Sequence, residues 1–506
     1  MRKRTVLQSL AILALGVVLP FSFVSCDMAN GGDYYYSMTD MEYYSPQGSE
    51  EYTEIIENPF VSADTESTSY FSIDANTASY PNIRSLLSNG ATIPEDAVRI
   101  EEMLNYFEYD YKGPEGEDIL ALNASIFNTP YNKDTKLLTV GLAAEKVDMS
   151  GIRNNVVFLI DTSGSMESSD KLGLVQSAFK LMAENLGKDD RVSIVTYAGS
   201  DTVALSGAYG YETERIKAVI SDLRASGSTA GAKGIERAYE LASQFFIEGG
   251  NNRVILATDG DFNVGISDSA ELEKFISKKR DTGIYFSVYG VGRGNLKSEK
   301  METLALAGNG TYSYIDSVIE AKRAFVDAIG GSLITVAKDV KAGITFNSNY
   351  VDSYRLIGYE NKLLTSEEFE DENTDAGELG SGHTVTVVYE IKLKGEGVIP
   401  ADSLASVEIK YKPTENTGAQ DTQERSLTLE VSGDAWHETP TDTDLFVASV
   451  IEFGLILRHS DYLADGNIDS LIERLESIDT SNYSDREGFI ETVKLYRQNL
   501  QNYEQK

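Results

Sequence analysis

The stretch Asn155-Val156-Val157-Phe158-Leu159-Ile160-Asp161-Thr162-Ser163-Gly164-Ser165-Met166 decides the fold of this chain. Its five consecutive apolar residues predict a strand that is buried on both faces of a parallel sheet. A carboxylate, a glycine and hydroxyls follow the strand at once, at the end of an open α/β sheet where ligands bind. The oxygens of Asp161, Ser163 and Ser165 suit Mg²⁺, Ca²⁺ or Mn²⁺, so the stretch predicts a metal-binding loop.

Two later segments add oxygen ligands to this loop. Gly227-Ser228-Thr229-Ala230-Gly231 supplies a hydroxyl in a loop before a helix, and Arg253-Val254-Ile255-Leu256-Ala257-Thr258-Asp259-Gly260 is a second buried strand that ends in a carboxylate. In this order and on these elements, the residues resemble the metal-ion-dependent adhesion site of the von Willebrand factor A domain. The matching positions are Asp161, Ser163, Ser165, Thr229 and Asp259.

The resemblance implies a divalent cation with one coordination position left open. Asp161 and Asp259 bring two negative charges, the hydroxyls bring none, and a divalent cation cancels the pair. Mg²⁺ is favoured because Ca²⁺ usually takes more ligands, while Ca²⁺ and Mn²⁺ stay open. In sites of this family one aspartate often reaches the metal through water, so Asp161 and Asp259 need not both coordinate it directly, and Asp261 either holds a water or is an exposed turn residue. In the A-domain family a carboxylate of a protein ligand fills the open position.

The length and the charge of the chain limit its domain count and its partners. A chain of 506 residues is too long for one hydrophobic core and predicts two to four domains. It carries 44 Lys and Arg against 80 Asp and Glu, a net charge of −36. Because such an acidic surface repels phosphate backbones and anionic headgroups, we expect no nucleic-acid partner.

The first residues predict a secreted protein that is anchored by a lipid. A basic start and an apolar run up to Phe23 are typical of a signal peptide, here residues 1–25. Phe23-Val24-Ser25-Cys26 follows, and Cys26 is the single cysteine of the chain. These residues resemble a bacterial lipobox, which implies that the thiol of Cys26 is acylated. We therefore expect attachment to the membrane of the cell envelope, on the extracytoplasmic side, at the outer membrane or facing the periplasm.

Two regions precede the strand-rich part of the chain. Residues 27–67 contain ten Asp or Glu, six Tyr and no Lys or Arg. Such a composition buries too little apolar surface to offset the entropy of ordering, so residues 26–67 are predicted to be a disordered tether. In residues 68–118, apolar periodicity over 79–87 and 95–107 predicts helices and an N-terminal helical cap region.

The remaining pattern predicts an α/β domain set into a β-sandwich. Strands and helices alternate over residues 151–332, which predicts a doubly wound, mostly parallel, Rossmann-like sheet. Residues 119–150 and 333–436 instead alternate with a period of two, which is typical of antiparallel strands in a sandwich. Because the leading piece is too small to bury a core alone, we predict that the α/β domain is inserted into one sandwich. Residues 437–506 predict a C-terminal helical region.

Residues outside the α/β domain resemble a bacterial family of A-domain lipoproteins, the YfbK-like family. The matching runs are Tyr70-Phe71-Ser72-Ile73-Asp74, Ser353-Tyr354-Arg355-Leu356-Ile357-Gly358-Tyr359-Glu360-Asn361 and Phe453-Gly454-Leu455. The resemblance extends over nearly everything from Tyr70 to Leu500. It implies an A domain with dedicated N-terminal and C-terminal flanking regions.

The sequence offers little that would support an enzyme. The three histidines, His383, His437 and His459, all lie outside the α/β domain, and Ser163 has no general base beside it in the sequence. Gly290-Val291-Gly292-Arg293-Gly294 is similar to part of a dinucleotide loop, but it lacks the third glycine spacing and follows the fifth strand. We therefore expect no enzymatic activity.

These observations favour a binding protein of the envelope. We expect a membrane-anchored adhesion or assembly lipoprotein that captures an acidic residue of a protein partner through a divalent metal. The alternative is a structural or envelope-assembly scaffold whose metal only stabilises it. A metal-assisted hydrolase is the third hypothesis, and it requires a base near Asp161.

Overall fold

The computed structural model describes residues 51–148, 151–198, 200–227, 232–260, 269–293, 297–325, 334–395, 399, 402–417 and 422–504. Within these residues the chain forms a parallel-type sheet, two antiparallel sheets and a layer of helices. The elements before the α/β domain are β1 (Val61–Ser62), β2 (Thr68–Ser72), α1 (Ser79–Ser88), α2 (Ile100–Asn105), β3 (Leu120–Asn128) and β4 (Lys136–Ala144).

The α/β domain is doubly wound, as predicted. Its strands are β5 (Asn154–Asp161), β6 (Arg191–Tyr197), β7 (Asp201–Tyr209), β8 (Asn251–Thr258), β9 (Ile284–Val291) and β10 (Tyr312–Ile315). Its helices are α3 (Leu174–Glu184), α4 (Thr213–Asp222), α5 (Ala232–Gln244), α6 (Ser269–Arg280), α7 (Ser298–Ala307) and α8 (Val318–Lys322). The strand order is β10-β9-β8-β5-β6-β7, and all neighbours are parallel except the edge strand β7, which runs antiparallel to β6.

Strand β5 is buried along its whole length because helices cover both faces of the sheet. Phe158 belongs to the core on the side of α3 and stacks on Phe179 with ring centroids 4.1 Å apart. Its neighbours Val157 and Leu159 belong to the core on the opposite side, with α5 and α7. The uninterrupted apolar run is thus explained by alternate side chains entering two different cores.

The elements after the α/β domain complete a sandwich and a helical layer. They are β11 (Thr335–Phe346), β12 (Val351–Ile357), α9 (Ser366–Glu370), β13 (Gly377–Gly380), β14 (Thr384–Leu393), β15 (Ala405–Pro413), β16 (Arg425–Val431), α10 (Asp442–Leu457), α11 (Ile468–Ser477) and α12 (Ser484–Glu504). One antiparallel sheet has the order β1-β12-β14-β4-β3. The other has the order β13-β11-β15-β16, and β2 also pairs with β11.

The predicted insertion of the α/β domain into the sandwich is confirmed. Strand β4 lies before that domain in the chain, yet it pairs antiparallel with β14, with Val140 opposite Val387. Hairpin β3–β4 and the later strands share one apolar core, in which Leu138 and Val407 are buried. Strand β15 alternates buried and half-buried residues along its length, which is the period of two expected for a sandwich strand.

Helices from both ends of the chain form one layer on the outer face of the β12-β14-β4 sheet. Phe107, just after α2, packs edge-on against Phe446 of α10 and Phe489 of α12, with ring centroids 4.9 and 5.4 Å apart. Ile357 and Val388 of the sheet belong to the same core. The predicted N-terminal and C-terminal helical regions are therefore parts of a single body. None of the helices in the described ranges is both long and apolar enough to cross a membrane.

The predicted tether ends earlier than residue 67, which is a correction. Val61 and Ser62 form β1 opposite Tyr354 and Ser353 of β12. Asn58 is buried, and its side-chain amide donates to two backbone carbonyls of the sandwich. The physical reason is that the edge of β12 offers backbone groups that a short polar segment can satisfy. Residues 26–50 lie outside the described residues.

The predicted helical cap also needs correction. Strand β2 lies within the residues predicted for the cap, but it pairs with β11 and belongs to the sandwich. The predicted helix over 95–107 is interrupted, since a 3₁₀ turn (Glu95–Ala97) is followed by extended residues before α2 begins at Ile100. The backbone N–H of Arg99 donates to Ser79 Oγ at 2.9 Å, so a side chain takes the donor that a continuous helix would use.

Candidate metal centre

The two predicted aspartates lie at the ends of neighbouring strands. Strands β5 and β8 pair in parallel with Ile160 opposite Ala257, so both chains leave the sheet at the same edge. Asp161 is the last residue of β5, and Asp259 follows the last residue of β8. Both are fully buried. The structure thus brings together two carboxylates that are almost a hundred positions apart in the sequence.

The loop after β5 places its two serines beside Asp161. The backbone N–H of Ser163 donates to Asp161 Oδ1 at 2.8 Å, which closes a tight turn over the carboxylate. Ser163 Oγ and Ser165 Oγ are 3.0 Å apart, so the two hydroxyls share one hydrogen bond. The predicted Asp-x-Ser-x-Ser arrangement therefore gathers its oxygens in one short loop.

The segment that leads to Thr229 reaches the same loop. Gly227 accepts a hydrogen bond from the backbone N–H of Gly164 at 3.1 Å. Gly227 has a φ of +85°, and a Cβ there would lie 3.0 Å from the carbonyl oxygen of Ala198, so glycine suits this close approach. Thr229 itself lies outside the described residues, and its predicted role stays a prediction.

Uncharged donors surround the carboxylate of Asp161. The hydroxyls of Tyr197 and Thr258 both donate to Asp161 Oδ2 at 3.1 Å. Burial raises the pKa of Asp161, and the nearby Asp259 raises it further, while the hydrogen bonds from Ser163 act in the opposite direction. Sequence reasoning did not identify Tyr197 or Thr258, although Thr258 directly precedes Asp259.

Asp259 has a partner that sequence reasoning missed. The ammonium of Lys171 lies 2.8 Å from Asp259 Oδ2, and the two side chains are 10% and 0% exposed. Lys171 lies in the π-helical turn Ser169–Gly173 that leads into α3. Its only signal in the sequence is that it is the single basic residue between Arg153 and Lys180.

The residues fit a hard divalent cation bound by oxygen. Within the described ranges, no group of three or more His, Cys, Asp or Glu side chains is placed to hold a metal. The ligands here would instead be two carboxylates and the hydroxyls of Ser163 and Ser165, which suit Mg²⁺ or Mn²⁺ better than a thiolate-binding or imidazole-binding metal. The buried position of Asp161 among uncharged donors is the observation that favours a cation, because a buried carboxylate is costly without one.

The other residues considered from the sequence lie elsewhere. Among the histidines, His383 precedes β14, His437 pairs with Asp444 at the start of α10 with a distance of 2.6 Å, and His459 follows α10. Burial lowers the pKa of His383 to about 4. Cys26 and Asp261 lie outside the described residues.

Family models match most of the chain. The model of the von Willebrand factor type A domain matches residues 155–327, and a second model, described as von Willebrand factor, matches residues 46–139. The model of the C-terminal part of uncharacterized protein YfbK matches residues 331–499. The A domain indicates a role in protein interaction or adhesion, and domains of this type commonly bind a divalent metal.

The chain is also similar to individual proteins. The uncharacterized protein YfbK of Escherichia coli strain K12 is 37% identical over 443 residues, which cover 82% of this chain and 75% of that protein. A solved von Willebrand factor type A protein from Catenulispora acidiphila is 18% identical at a TM-score of 0.39, over 68% of this chain and 80% of that one. Proximal thread matrix protein 1 of the mussel byssus, solved with a zinc-occupied MIDAS motif, is 22% identical at a TM-score of 0.29, over 35% of this chain and 45% of that one.

The similarity to the E. coli protein extends well beyond the A domain. It covers most of this chain, and the region after the A domain has its own match to the C-terminal part of that protein. The chain therefore belongs to the YfbK family and carries both a von Willebrand factor type A domain and a YfbK C-terminal domain.

Proposed function

We propose that this protein is a lipid-anchored binding protein of the extracytoplasmic envelope, and that its A domain captures an acidic residue of a protein partner through a divalent cation. The observation that carries the proposal is the state of Asp161. Its carboxylate is fully buried, and the donors that contact it among the described residues are uncharged N–H and hydroxyl groups. Such a group is suited to a cation at the edge of the sheet.

The oxygen ligands support Mg²⁺ as the preferred cation. Ser163 and Ser165 are neutral ligands, so they add coordination without adding negative charge. When bound, the cation supplies a coordination position that a carboxylate oxygen of a partner can take. The protein's own residues hold the loop in place, through the turn at Asp161 and the bond between Gly164 and Gly227.

A hydrolytic function receives less support from the surroundings of Asp161. A hydrolase needs a general base near the site. The described candidate that contacts Asp161 is Tyr197. Burial raises the pKa of its hydroxyl well above the usual value, so the group stays protonated and cannot accept a proton as a general base. The geometry therefore favours binding.

The proposed location rests on the sequence of the N-terminus. Acylation of Cys26 would attach the chain to the envelope. Without residues 1–25 the chain has 41 Lys and Arg against 80 Asp and Glu, and this net charge of −39 would hold the protein away from an anionic membrane surface. We expect native protein to fractionate with membranes and to incorporate labelled palmitate. The Cys26→Ser variant should do neither, and membrane attachment of that variant would overturn this part of the proposal.

Metal binding and partner capture can be tested with one variant. Calorimetric titration of the full-length protein with Mg²⁺ and Mn²⁺ should show one site, and Asp161→Asn should abolish it. Asp189→Asn is the matched control, because Asp189 belongs to the same domain but its side chain is 61% exposed. The immobilised protein should then retain envelope proteins with Mg²⁺, release them with EDTA, and fail to retain them when their carboxylates have been blocked with an amine.

The outcomes separate the candidate functions. Capture that depends on Mg²⁺, on Asp161 and on partner carboxylates supports the proposal. If Mg²⁺ raises the melting temperature but capture is the same with EDTA, the metal only stabilises a scaffold. If the wild-type protein binds neither cation, the proposed metal-dependent capture is wrong.

A further inference from the structure

The pairing of Lys171 with Asp259 changes the charge of the candidate metal centre. We propose that Lys171 is a resident cation of this centre, which neutralises Asp259 so that a bound divalent metal leaves a net positive charge and selects an anionic ligand. This inference rests on the metal site of the proposed function. The ion pair is 2.8 Å long, and Lys171 is only 8% exposed, so its ammonium is shielded from water beside one of the ligands.

The path of the Lys171 side chain is built by a second loop. Gly292, directly after β9, has a φ of +70°, and a Cβ at this position would lie 2.3 Å from Lys171 Cγ and 2.5 Å from its Cε. The aliphatic part of the Lys171 side chain therefore occupies the space that a Cβ at position 292 would fill. The hydroxyl of Tyr314 donates to the carbonyl oxygen of Gly292 at 2.8 Å and fixes this segment.

This contact gives a role to the segment Gly290-Val291-Gly292-Arg293, which the function did not explain. Its Gly292 borders the side chain of Lys171 on the way to Asp259. On the outer side, Arg293 lies 3.7 Å from Asp170, the neighbour of Lys171. The turn Ser169–Gly173 therefore contacts the end of β9 twice, through Lys171 with Gly292 and through Asp170 with Arg293.

The charge count follows directly from these positions. Asp161 and Asp259 carry two negative charges, and Lys171 returns one positive charge, so the protein groups sum to −1. A divalent cation brings the sum to +1, whereas the two aspartates alone would give a neutral site. At short range and with little water, one unit of charge has a large effect on the affinity for the metal and on the affinity for the carboxylate. We therefore expect Lys171 to weaken the binding of the metal and to strengthen the binding of a carboxylate to the loaded site.

A lysine that merely packs the loop would not produce this pair of effects. Its loss would loosen the site and weaken the metal and the carboxylate together. A resident cation predicts changes of opposite sign, because its charge repels the metal and attracts the anion. The direction of the two changes is therefore the readout that separates the roles.

The test uses full-length Lys171→Met, which keeps an apolar stem and removes the charge. Titration with Mn²⁺ alone should give a dissociation constant about tenfold lower than that of the wild-type protein. Acetate is then titrated into the Mn²⁺-loaded protein, and water proton relaxation follows its entry. Its dissociation constant should rise about tenfold. Lys217→Met is the matched control, since the ion pairs of Lys217 in the described part of the chain are with Glu184 at 2.6 Å and Glu214 at 3.7 Å, away from Asp161 and Asp259.

Folding is checked by melting temperature with and without Mn²⁺. Removal of Lys171 leaves Asp259 buried without its ammonium, so the variant should melt lower than the wild-type protein and regain most of the difference when Mn²⁺ is added. If the methionine variant does not fold, Lys171→Gln removes the same charge with a polar side chain. The control variant should show the wild-type response to Mn²⁺.

Each result decides one statement. Tighter Mn²⁺ with weaker acetate supports the inference. Unchanged or weaker Mn²⁺ binding in the folded charge-removing variant overturns it, while the proposed function stands. Tighter Mn²⁺ with unchanged acetate overturns the effect on ligand choice. If only the variant binds Mn²⁺, the lysine holds the place of the cation and the proposed function fails. If neither protein binds Mn²⁺, both are wrong.

Discussion

We predict that the buried ion pair of Arg355 and Glu390 couples the stability of hairpin β3–β4 to that of strands β12 and β14. These residues face each other across β12 and β14, with Arg355 Nη2 2.8 Å from Glu390 Oε2 and side chains 2% and 0% exposed. The other carboxylate oxygen, Oε1, accepts from Asn132 and Thr135 at 2.8 and 2.7 Å. Both donors lie in the β3–β4 turn, before the A domain. The Glu390 carboxylate therefore contacts β12, which follows the A domain in the chain, and the β3–β4 turn, which precedes it.

The Arg355→Met variant should be destabilised by about 3–5 kcal/mol, because it leaves a buried carboxylate without its countercharge. This variant also loses a cation–π contact, because the guanidinium carbon of Arg355 lies 4.1 Å from the centroid of the Tyr462 ring. The Glu390→Leu variant should lose a similar amount, since the guanidinium is then unpaired. The double variant should be only about 1–3 kcal/mol less stable than the wild-type protein, because the Asn132 amide loses its acceptor, whereas the Thr135 hydroxyl keeps Thr129 Oγ1 and the Asn132 carbonyl within hydrogen-bond distance.

Trp436 is a suitable probe for this measurement. It is the single tryptophan of the chain, its backbone forms a bridge with Ile126 of β3, and Lys136 of β4 lies 4.9 Å from the centre of its ring. Its fluorescence therefore reports on the docking of hairpin β3–β4. Urea unfolding of the wild-type protein and the three variants gives a coupling free energy, and circular dichroism follows the helices and the A domain in parallel.

We expect a coupling of at least about 2 kcal/mol in the tryptophan transition. Additive effects of the two single variants, with a coupling below about 0.5 kcal/mol, would refute the reasoning. A loss of stability that appears only in the circular dichroism transition would also refute it, because the docking of hairpin β3–β4 would then not depend on the Arg355–Glu390 pair.

Two further predictions concern packing and pH. A Cβ at Gly454 would lie 2.6 Å from Ile100 Cγ1, so Gly454→Ala should lower the free energy of unfolding by about 1–2 kcal/mol. A Cβ at Gly488 would meet open space, so Gly488→Ala should raise it by up to about 1 kcal/mol. Urea unfolding measures both changes. Burial raises the pKa of Glu102 to about 8, so its contribution to stability is complete below pH 4.5 and is lost as the pH rises through 8. Glu102→Gln should remove a slope of up to about 1.4 kcal/mol per pH unit from the stability measured between pH 5 and 8, and an unchanged slope would contradict this.

The proximity of the candidate metal-binding residues was predictable because local sequence places each of them at the end of a strand. Asp161, Ser163 and Ser165 lie in one loop, and Asp259 ends a second apolar run of the same kind. Parallel strands of a doubly wound sheet bring their carboxyl ends to one edge, so the meeting of the two loops follows from the strand pattern. Lys171 was not predictable in this way, since a lysine near a helix start is usually exposed.

The larger errors came from surfaces that are completed by distant parts of the chain. The composition around Asn58 predicts disorder, but the edge of β12 satisfies its amide. The interruption before Ile100 depends on a hydroxyl from α1. In each case the deciding partner is far away in the sequence, and periodicity has no information about it.

The sequence by itself determined the doubly wound domain, the sandwich around it and the oxygen-bearing side chains at the ends of β5 and β8. These properties follow from the spacing of neighbouring residues, which fixes which faces of a strand or helix are apolar. Only the tertiary structure decided that the helices of both chain ends form one layer, and that Lys171 reaches Asp259 over Gly292. Such contacts depend on how complete elements pack in three dimensions, and the net charge of the centre depends on them in turn.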